Sequence, residues 1–269
     1  MSRIARIVNF VFLLVLLMLF SLNRGHDMRL AIVGSDVSAL VLALKLVADH
    51  EVVVIEQEAE IGMPVHHPGR VLDLNVLGRY IPLQHHEILQ LQKNQNEFGC
   101  RWEWVVKLLT VECSRRDVRF MTRSRITSMT RENGAFRLEF NNFRKGSFVE
   151  VDAIVDMNMV QDSGPGQRTH QLDSTGLVPW GKPETTLAQG MLVPTVHLDG
   201  VDVYGADFVV SRADHQTELW WYQEPNWAPP HGVLERMQGH LPLNPRLVSF
   251  DGCVLLAERV HSGLKLEHI

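Results

Sequence analysis

Cysteine is scarce in this chain. Three residues, Cys100, Cys113 and Cys253, stand far apart among 269. An odd, scattered set fits neither a disulfide framework nor a paired-cysteine zinc site, and buried free thiols are the expectation. Positive charge is in deficit too. The formal net charge is −5, and residues 1–27 hold three arginines against one aspartate, so the remainder is more acidic still. Such a body lacks the basic face that a general nucleic-acid binder needs, and no nucleic-acid partner is expected. The metalloprotease pattern is missing, because His86-Glu87-Ile88-Leu89-Gln90 ends on glutamine. The adjacent pairs His66-His67 and His85-His86 are poorly placed to share one ion, so no metal site is expected. There is no G-x-S-x-G, no P-loop lysine and no kinase set. What remains, 45% hydrophobic and 21% charged residues, is ordinary globular composition with ample length for a buried core.

The N-terminus reads as a separate segment. Residues 10–20, FVFLLVLLMLF, are unbroken apolar sequence, preceded by Arg3 and Arg6 and followed by Ser21-Leu22-Asn23-Arg24. That is the plan of a signal peptide or signal anchor, without a small-x-small cleavage site. Three readings stand open: membrane association through residues 4–22, a cleaved signal, or translation from Met28. Under each, residues 1–27 lie outside the globular fold. The localisation follows: membrane-associated if the segment is retained, otherwise cytoplasmic.

Residues 29–33, RLAIV, form a short β-branched run that stops at Gly34. Val37, Leu40, Val41, Leu44 and Val47 then recur at helical spacing. Val52-Val53-Val54-Ile55 follows as four consecutive aliphatics, the mark of a parallel strand covered on both faces, and Glu56 ends it. This is a β-α-β unit of the dinucleotide-binding type. Its glycine fingerprint is incomplete: Gly34-Ser35-Asp36-Val37-Ser38-Ala39 keeps the first glycine and an allowed third member, but Asp36 replaces the middle one. The middle glycine lets backbone approach a pyrophosphate at a helix N-terminus, so a carboxylate there adds bulk and the wrong charge. The alternative role for Asp36 is a helix cap. Glu56, 22 residues after Gly34, stands where a carboxylate would take the hydroxyls of an adenosine ribose.

Downstream of Glu56 the run Gln57-Glu58-Ala59-Glu60-Ile61-Gly62-Met63-Pro64-Val65 resembles FAD-dependent oxidoreductases of the glutathione-reductase-like superfamily, in particular the geranylgeranyl reductase and halogenase-like flavoproteins. In the reductases a cysteine stands near the place of His67. Further along, Arg101 to Ser114 resembles the long helix before the third parallel strand, and Asp117-Val118-Arg119-Phe120 that strand. Arg125 to Arg131, Ala135 to Phe140 and Ser147 to Val151 read as a three-stranded meander with a turn at Glu132-Asn133-Gly134. Val151 to Asp156 is similar to the strand that leads back to the cofactor. Asp251-Gly252-Cys253-Val254-Leu255-Leu256-Ala257-Glu258-Arg259 resembles the strand whose terminal acid holds the flavin's ribityl chain, with Glu258 in that acid's place. The helix that follows it in those proteins is expected to be absent or stunted.

Between these parts, Val193 to Leu198, Val201 to Val210 and Thr217 to Tyr222 read as strands, and Gly232 to Leu241 as a helix after a proline loop. Gly164-Pro165-Gly166 reads as an interdomain loop. Trp220-Trp221-Tyr222 with Trp227 concentrates aromatics in a chain that is only 7% aromatic. By the resemblance they would face a flavin or a lipid-like substrate; by packing alone they would cover a sheet face.

The expected fold is α/β: a Rossmann-like FAD/NAD(P)-binding parallel sheet with a three-stranded meander and a small antiparallel-sheet second domain. Residues 28–157 and 245–269 make up the first domain and 158–244 the second. The expected activity is that of an FAD-dependent oxidoreductase on a small, apolar molecule, with NAD(P)H as electron donor left open. Gly34, Ser35, Asp36, Ser38, Ala39, Glu56, Gln57 and Glu258 are the expected cofactor residues. His67 is the candidate proton donor, since imidazole titrates near neutrality. The alternative is a flavin-free relative acting as a structural or interaction module.

Overall fold

A computed structural model describes residues 28–65, 67–141, 146–159, 170–198, 205–225, 227–229 and 231–266. The segment 4–22 and the loop at Gly164 therefore lie outside the described residues. Among the described residues, no helix is long and apolar enough to cross a membrane.

The chain runs through β1 (Arg29–Val33), α1 (Val37–Leu46), β2 (Glu51–Ile55), β3 (Arg70–Val71), α2 (Leu74–Gly78), β4 (Gln92–Asn94), β5 (Glu97–Gly99) and α3 (Trp102–Arg115). It continues with β6 (Arg119–Met121), β7 (Arg125–Glu132), β8 (Ala135–Asn141), β9 (Phe148–Val151), β10 (Ala153–Asp156), β11 (Thr185–Pro194), β12 (Phe208–Ser211), β13 (Gln216–Trp221), β14 (Glu235–Pro242) and α4 (Phe250–Leu266).

The central sheet is wholly parallel, in the order β10-β1-β2-β6. Its aliphatic runs sort by parity, because successive side chains leave a strand on opposite faces. Leu30, Ile32, Val52 and Val54 point into a core shared with α1, α3 and α4. Ala31, Val33, Val53 and Ile55 point the other way, against Ile126, Phe136, Leu138, Phe140 and Val151 of the β7-β8-β9 meander. Both faces are thus covered, which is why neither strand alternates with polar residues. Truncating Ile32 to alanine would cost about 2–5 kcal/mol, as for other fully buried aliphatics. The expected strand from Val151 to Asp156 is divided at Asp152, where the carboxylate takes the Arg29 amide at 2.7 Å and its guanidinium at 2.7 Å. Val151 stays in the meander and Ala153 starts β10.

A second sheet, β12-β13-β11-β14, is antiparallel. A small β3-β5-β4 sheet packs against β12, where the Asn94 side chain donates to the Ser211 carbonyl at 2.9 Å.

Three sequence expectations fail here. Gly232 to Leu241 is no helix: Glu235–Pro242 pairs with β11 along eight residues, and that partner overrides the local pattern. The strand expected at Val193 to Leu198 comes earlier, as Thr185–Pro194, and the chain then turns into a 3-10 segment, Thr195–Leu198. Of the strand expected at Val201 to Val210, only Phe208–Ser211 is strand, and residues 201–204 lie outside the described set.

The largest correction is at the C-terminus. Asp251 to Arg259 is helical, inside α4, and the expected strand is not there. Phe250, Cys253, Val254, Ala257, Val260 and Leu264 are all buried and recur at intervals of three and four, the period of one helix face. The adjacent apolar residues Val254-Leu255-Leu256-Ala257, of which Leu255 is exposed, imitate a strand. Gly252 serves close packing, since a Cβ there would lie 2.4 Å from the Leu247 Cα. The helix expected to be missing is therefore present and packs along α1.

Candidate functional site

Ligands of open parallel sheets sit beyond the carboxyl ends of the strands, where connections diverge to either side. In this chain that edge carries Gly34 after β1, Glu56 after β2 and Met157-Asn158 after β10. Gly34 has φ +99°, and a Cβ on it would stand 2.7 Å from the Asn158 Oδ1. Conformation and contact both require glycine there.

Asp36 takes the capping role. Its backbone is extended (φ −68°, ψ 175°), a conformation open to any residue, and its Oδ1 accepts the Ala39 amide at 2.8 Å. The carboxylate therefore occupies the N-terminus of α1, where an anion would otherwise dock. Burial raises the Asp36 carboxyl to about 6, against the Ala39 amide, with Glu56 adding to the rise.

Ser35 is 3% exposed, and its hydroxyl donates to Glu56 Oε2 at 2.6 Å while accepting the Gly62 amide at 2.7 Å. Glu56 Oε1 accepts the Glu58 amide at 2.9 Å. Gly62 has φ +63°, and a Cβ there would meet the Val106 Cγ1 at 2.4 Å and the Ser35 carbonyl at 3.0 Å. The motif downstream of Glu56 is thus a packed turn against the glycine loop.

The expected site residues separate accordingly. Gly34, Ser35, Asp36, Ala39 and Glu56 gather at one edge. Gln57 follows directly but faces solvent. Ser38 is fully buried within α1, next to the Cys253 thiol, which burial pushes up. It cannot touch a diphosphate without unpacking the α1–α4 contact. Glu258 lies two turns inside α4 and pairs with Lys45 at 3.3 Å, so the role expected for it beside a ribityl chain is not available. Its misplacement follows from reading α4 as a strand.

His67 is not an open loop histidine. Its ring stacks on Trp102 at 4.3 Å between centroids and 15° between planes. Nδ1 contacts the Pro68 carbonyl at 2.7 Å, so it carries the proton, and Nε2 is shut off from solvent. Burial lowers the imidazole to about 4, against the pull of the Pro68 carbonyl. A ring that is neutral at pH 7 holds no ready proton for general acid chemistry.

Three nearby groups carry no signal in the sequence pattern. Lys182 reaches back from the loop before β11 to Asp156 Oδ2 at 2.6 Å and the Asn158 carbonyl at 3.0 Å, placing a cation beside Gly34's neighbour. His170 Nδ1 accepts the Ile126 amide at 3.1 Å; burial lowers its pKa, with Glu56 and Asp156 acting in opposition. Ser249 caps α4 by accepting the Gly252 amide at 3.0 Å. Lys182 and His170 owe their places to long-range contacts, whereas the Ser249 cap is local.

The aromatic concentration is divided between two faces of the antiparallel sheet. Trp220 is fully buried with Phe208, Val210, Leu241 and Val248. Trp221 lies on the opposite face against Trp227. Between the sheet and the His67 loop sits a buried pair: Glu218 Oε1 binds Arg212 Nη1 at 3.1 Å, while Oε2 accepts the Gly69 amide at 3.1 Å and Trp220 Nε1 at 3.2 Å. All of these contacts are packing.

No protein-family model matches the sequence, and no curated protein is similar to it. Solved structures share the fold at low identity. The p-nitrophenol 4-monooxygenase of Pseudomonas putida superposes with a TM-score of 0.61 at 13% identity, over 88% of this chain and 79% of that one. The halogenase PltM gives 0.55 at 10% identity, over 90% and 70%. The Diels-Alderase of pyrroindomycin biosynthesis gives 0.50 at 13% identity, over 78% of this chain and 54% of that one. This chain thus spans about half the length of the last. The likeness is one of fold: a mixed α/β architecture with a four-stranded parallel sheet, shared with this monooxygenase and this halogenase.

Proposed function

We propose that this chain binds FAD at the carboxyl edge of its parallel sheet and acts as a flavin-dependent oxidoreductase on a small molecule. The observation that carries the reading is the convergence of three features: the Gly34 turn at φ +99°, the N-terminus of α1, and Glu56 at the end of β2. The adenosine half of the cofactor fits. Glu56 keeps a lone pair free on each carboxylate oxygen for ribose hydroxyls. Gly34 lets backbone come close to the diphosphate. Asp36 is the costly element, since its carboxylate holds the helix N-terminus; protonation near pH 6 relieves the charge but not the bulk. When bound, the flavin supplies the electron transfer and the protein supplies orientation.

A second reading, a flavin-free scaffold, is favoured by the same Asp36 and by the filling of the antiparallel sheet's inner face with Trp220 and Phe208. The test is an FAD titration of the full chain by fluorescence quenching at about pH 5 and about pH 8, with the visible spectrum of the purified protein. Saturable binding supports the flavoprotein reading. No binding at either pH supports the scaffold.

A further inference from the structure

Sequence spacing casts Ser35 as a contact to the cofactor's diphosphate. Its surroundings assign the hydroxyl elsewhere. A serine hydroxyl has one proton, and here it lies 2.6 Å from Glu56 Oε2, the length of a charge-assisted O–H···O bond. The oxygen also accepts the Gly62 amide at 2.7 Å. With 3% of the residue exposed, the hydroxyl is out of reach of a ligand on the surface of the loop. Glu56 is gripped twice, by Ser35 on Oε2 and by the Glu58 amide on Oε1 at 2.9 Å. Two bonds on different oxygens fix the plane of the carboxylate and leave one acceptor direction on each, a match for two neighbouring hydroxyls. Gly62 closes the ring: its positive φ, and the absence of room for a Cβ between Val106 and the Ser35 carbonyl, require glycine where the amide is donated.

We propose that Ser35 is a positioning residue that aims the Glu56 carboxylate at the vicinal hydroxyls of a ribonucleotide, and that through Glu56 it makes the site select ribose over deoxyribose. This rests on the nucleotide-binding reading above. Ser35 makes no contact with the ligand. Its removal frees Oε2 to rotate away and leaves the Gly62 amide unpaired.

The test titrates ADP and its 2′-deoxy analogue into the wild-type chain and into S35A, S35T and E56A, at about pH 5 where Asp36 is largely neutral. Thermal melting checks that each variant is folded. Wild type binds ADP more tightly than the analogue. In S35A, ADP affinity falls about ten-fold and that of the analogue, which keeps only the 3′-hydroxyl, falls less, so the ratio shrinks, as it does in E56A. S35T retains a hydroxyl and keeps the ratio. An unchanged ratio in folded S35A overturns the proposal, whether both affinities fall together or neither does, while leaving nucleotide binding intact. Absence of ADP and FAD binding by the wild-type chain overturns the nucleotide reading itself, and this proposal with it.

Discussion

The Asp36 carboxylate accepts the Ala39 amide at 2.8 Å, so the first turn of α1 already holds an anion of its own. A diphosphate docking at the same place competes with a covalently attached carboxylate.

That competition makes affinity depend on pH. Burial raises Asp36 to about 6, so its charge is lost as pH falls through that value. FAD affinity of the wild-type chain is expected to rise on acidification, by at most about ten-fold per pH unit above the pKa. Asp36→Asn keeps a capping side chain without the charge and is expected to bind more tightly at pH about 8, with a flatter profile. Titrations of both proteins over the pH range check this; a steep profile in the asparagine variant would place the titrating group elsewhere.

Folding stability carries two opposed contributions between about pH 4 and 6. The folded pKa of Asp36 is raised, so its contribution is present below the unfolded value of 3.8 and is lost as pH rises through about 6. The folded pKa of His67 is depressed, so its contribution is present above 6.5 and is lost as pH falls through about 4. Relative to wild type, Asp36→Asn is expected to make stability rise more steeply with pH in this window, and His67→Gln to make it rise less or fall. Urea unfolding at a series of pH values reads the two slopes. Parallel profiles in all three proteins would contradict both assignments.

Breaking the buried Glu218–Arg212 pair is expected to be costly. Glu218→Ala leaves the Gly69 amide and the Trp220 indole without their acceptor, while Arg212 keeps Asp214 at 3.2 Å; each buried donor left unpaired costs about 1–3 kcal/mol. Arg212→Met combined with Glu218→Leu removes both charges and recovers only part of the loss, because the two uncharged donors remain and Asp214 loses its Arg212 partner. Denaturant midpoints of the single and double variants measure this. A double variant as unstable as the single one would show that the two donors, rather than the charge, dominate.

Residues 28–269 are expected to fold without the first 27. The described cores draw only on residues from Met28 onward, and Arg29 is anchored by Asp152 through its own amide. Circular dichroism and a cooperative thermal transition of the shortened chain check this; loss of cooperativity would show that the N-terminal segment contributes to the core.

The β1-α1-β2 unit was legible because its signals are local. A buried parallel strand needs a run of aliphatics, a helix on a sheet needs a 3.6 period, and a turn at φ +99° needs glycine; all three lie within residues 29–56. The meander was legible for the same reason, through alternation and an Asn-Gly turn. The C-terminal helix was legible in principle, since its buried positions keep helical spacing, but a run of four apolar residues and a family likeness pointed to a strand. Tertiary structure alone decided the rest. β11 and β14 are strands because they pair with each other. Glu258 is remote from the site because α4 lies along α1. The His67 ring is covered because Trp102 begins a helix beside it. The Ser35 hydroxyl belongs to Glu56 because two strand ends, 21 residues apart in sequence, meet at one edge of the sheet. Period and turn preference are properties of neighbouring residues and can be read along a chain, whereas the direction of a hydroxyl or the acidity of a carboxyl depends on whatever the fold brings within about 4 Å of it.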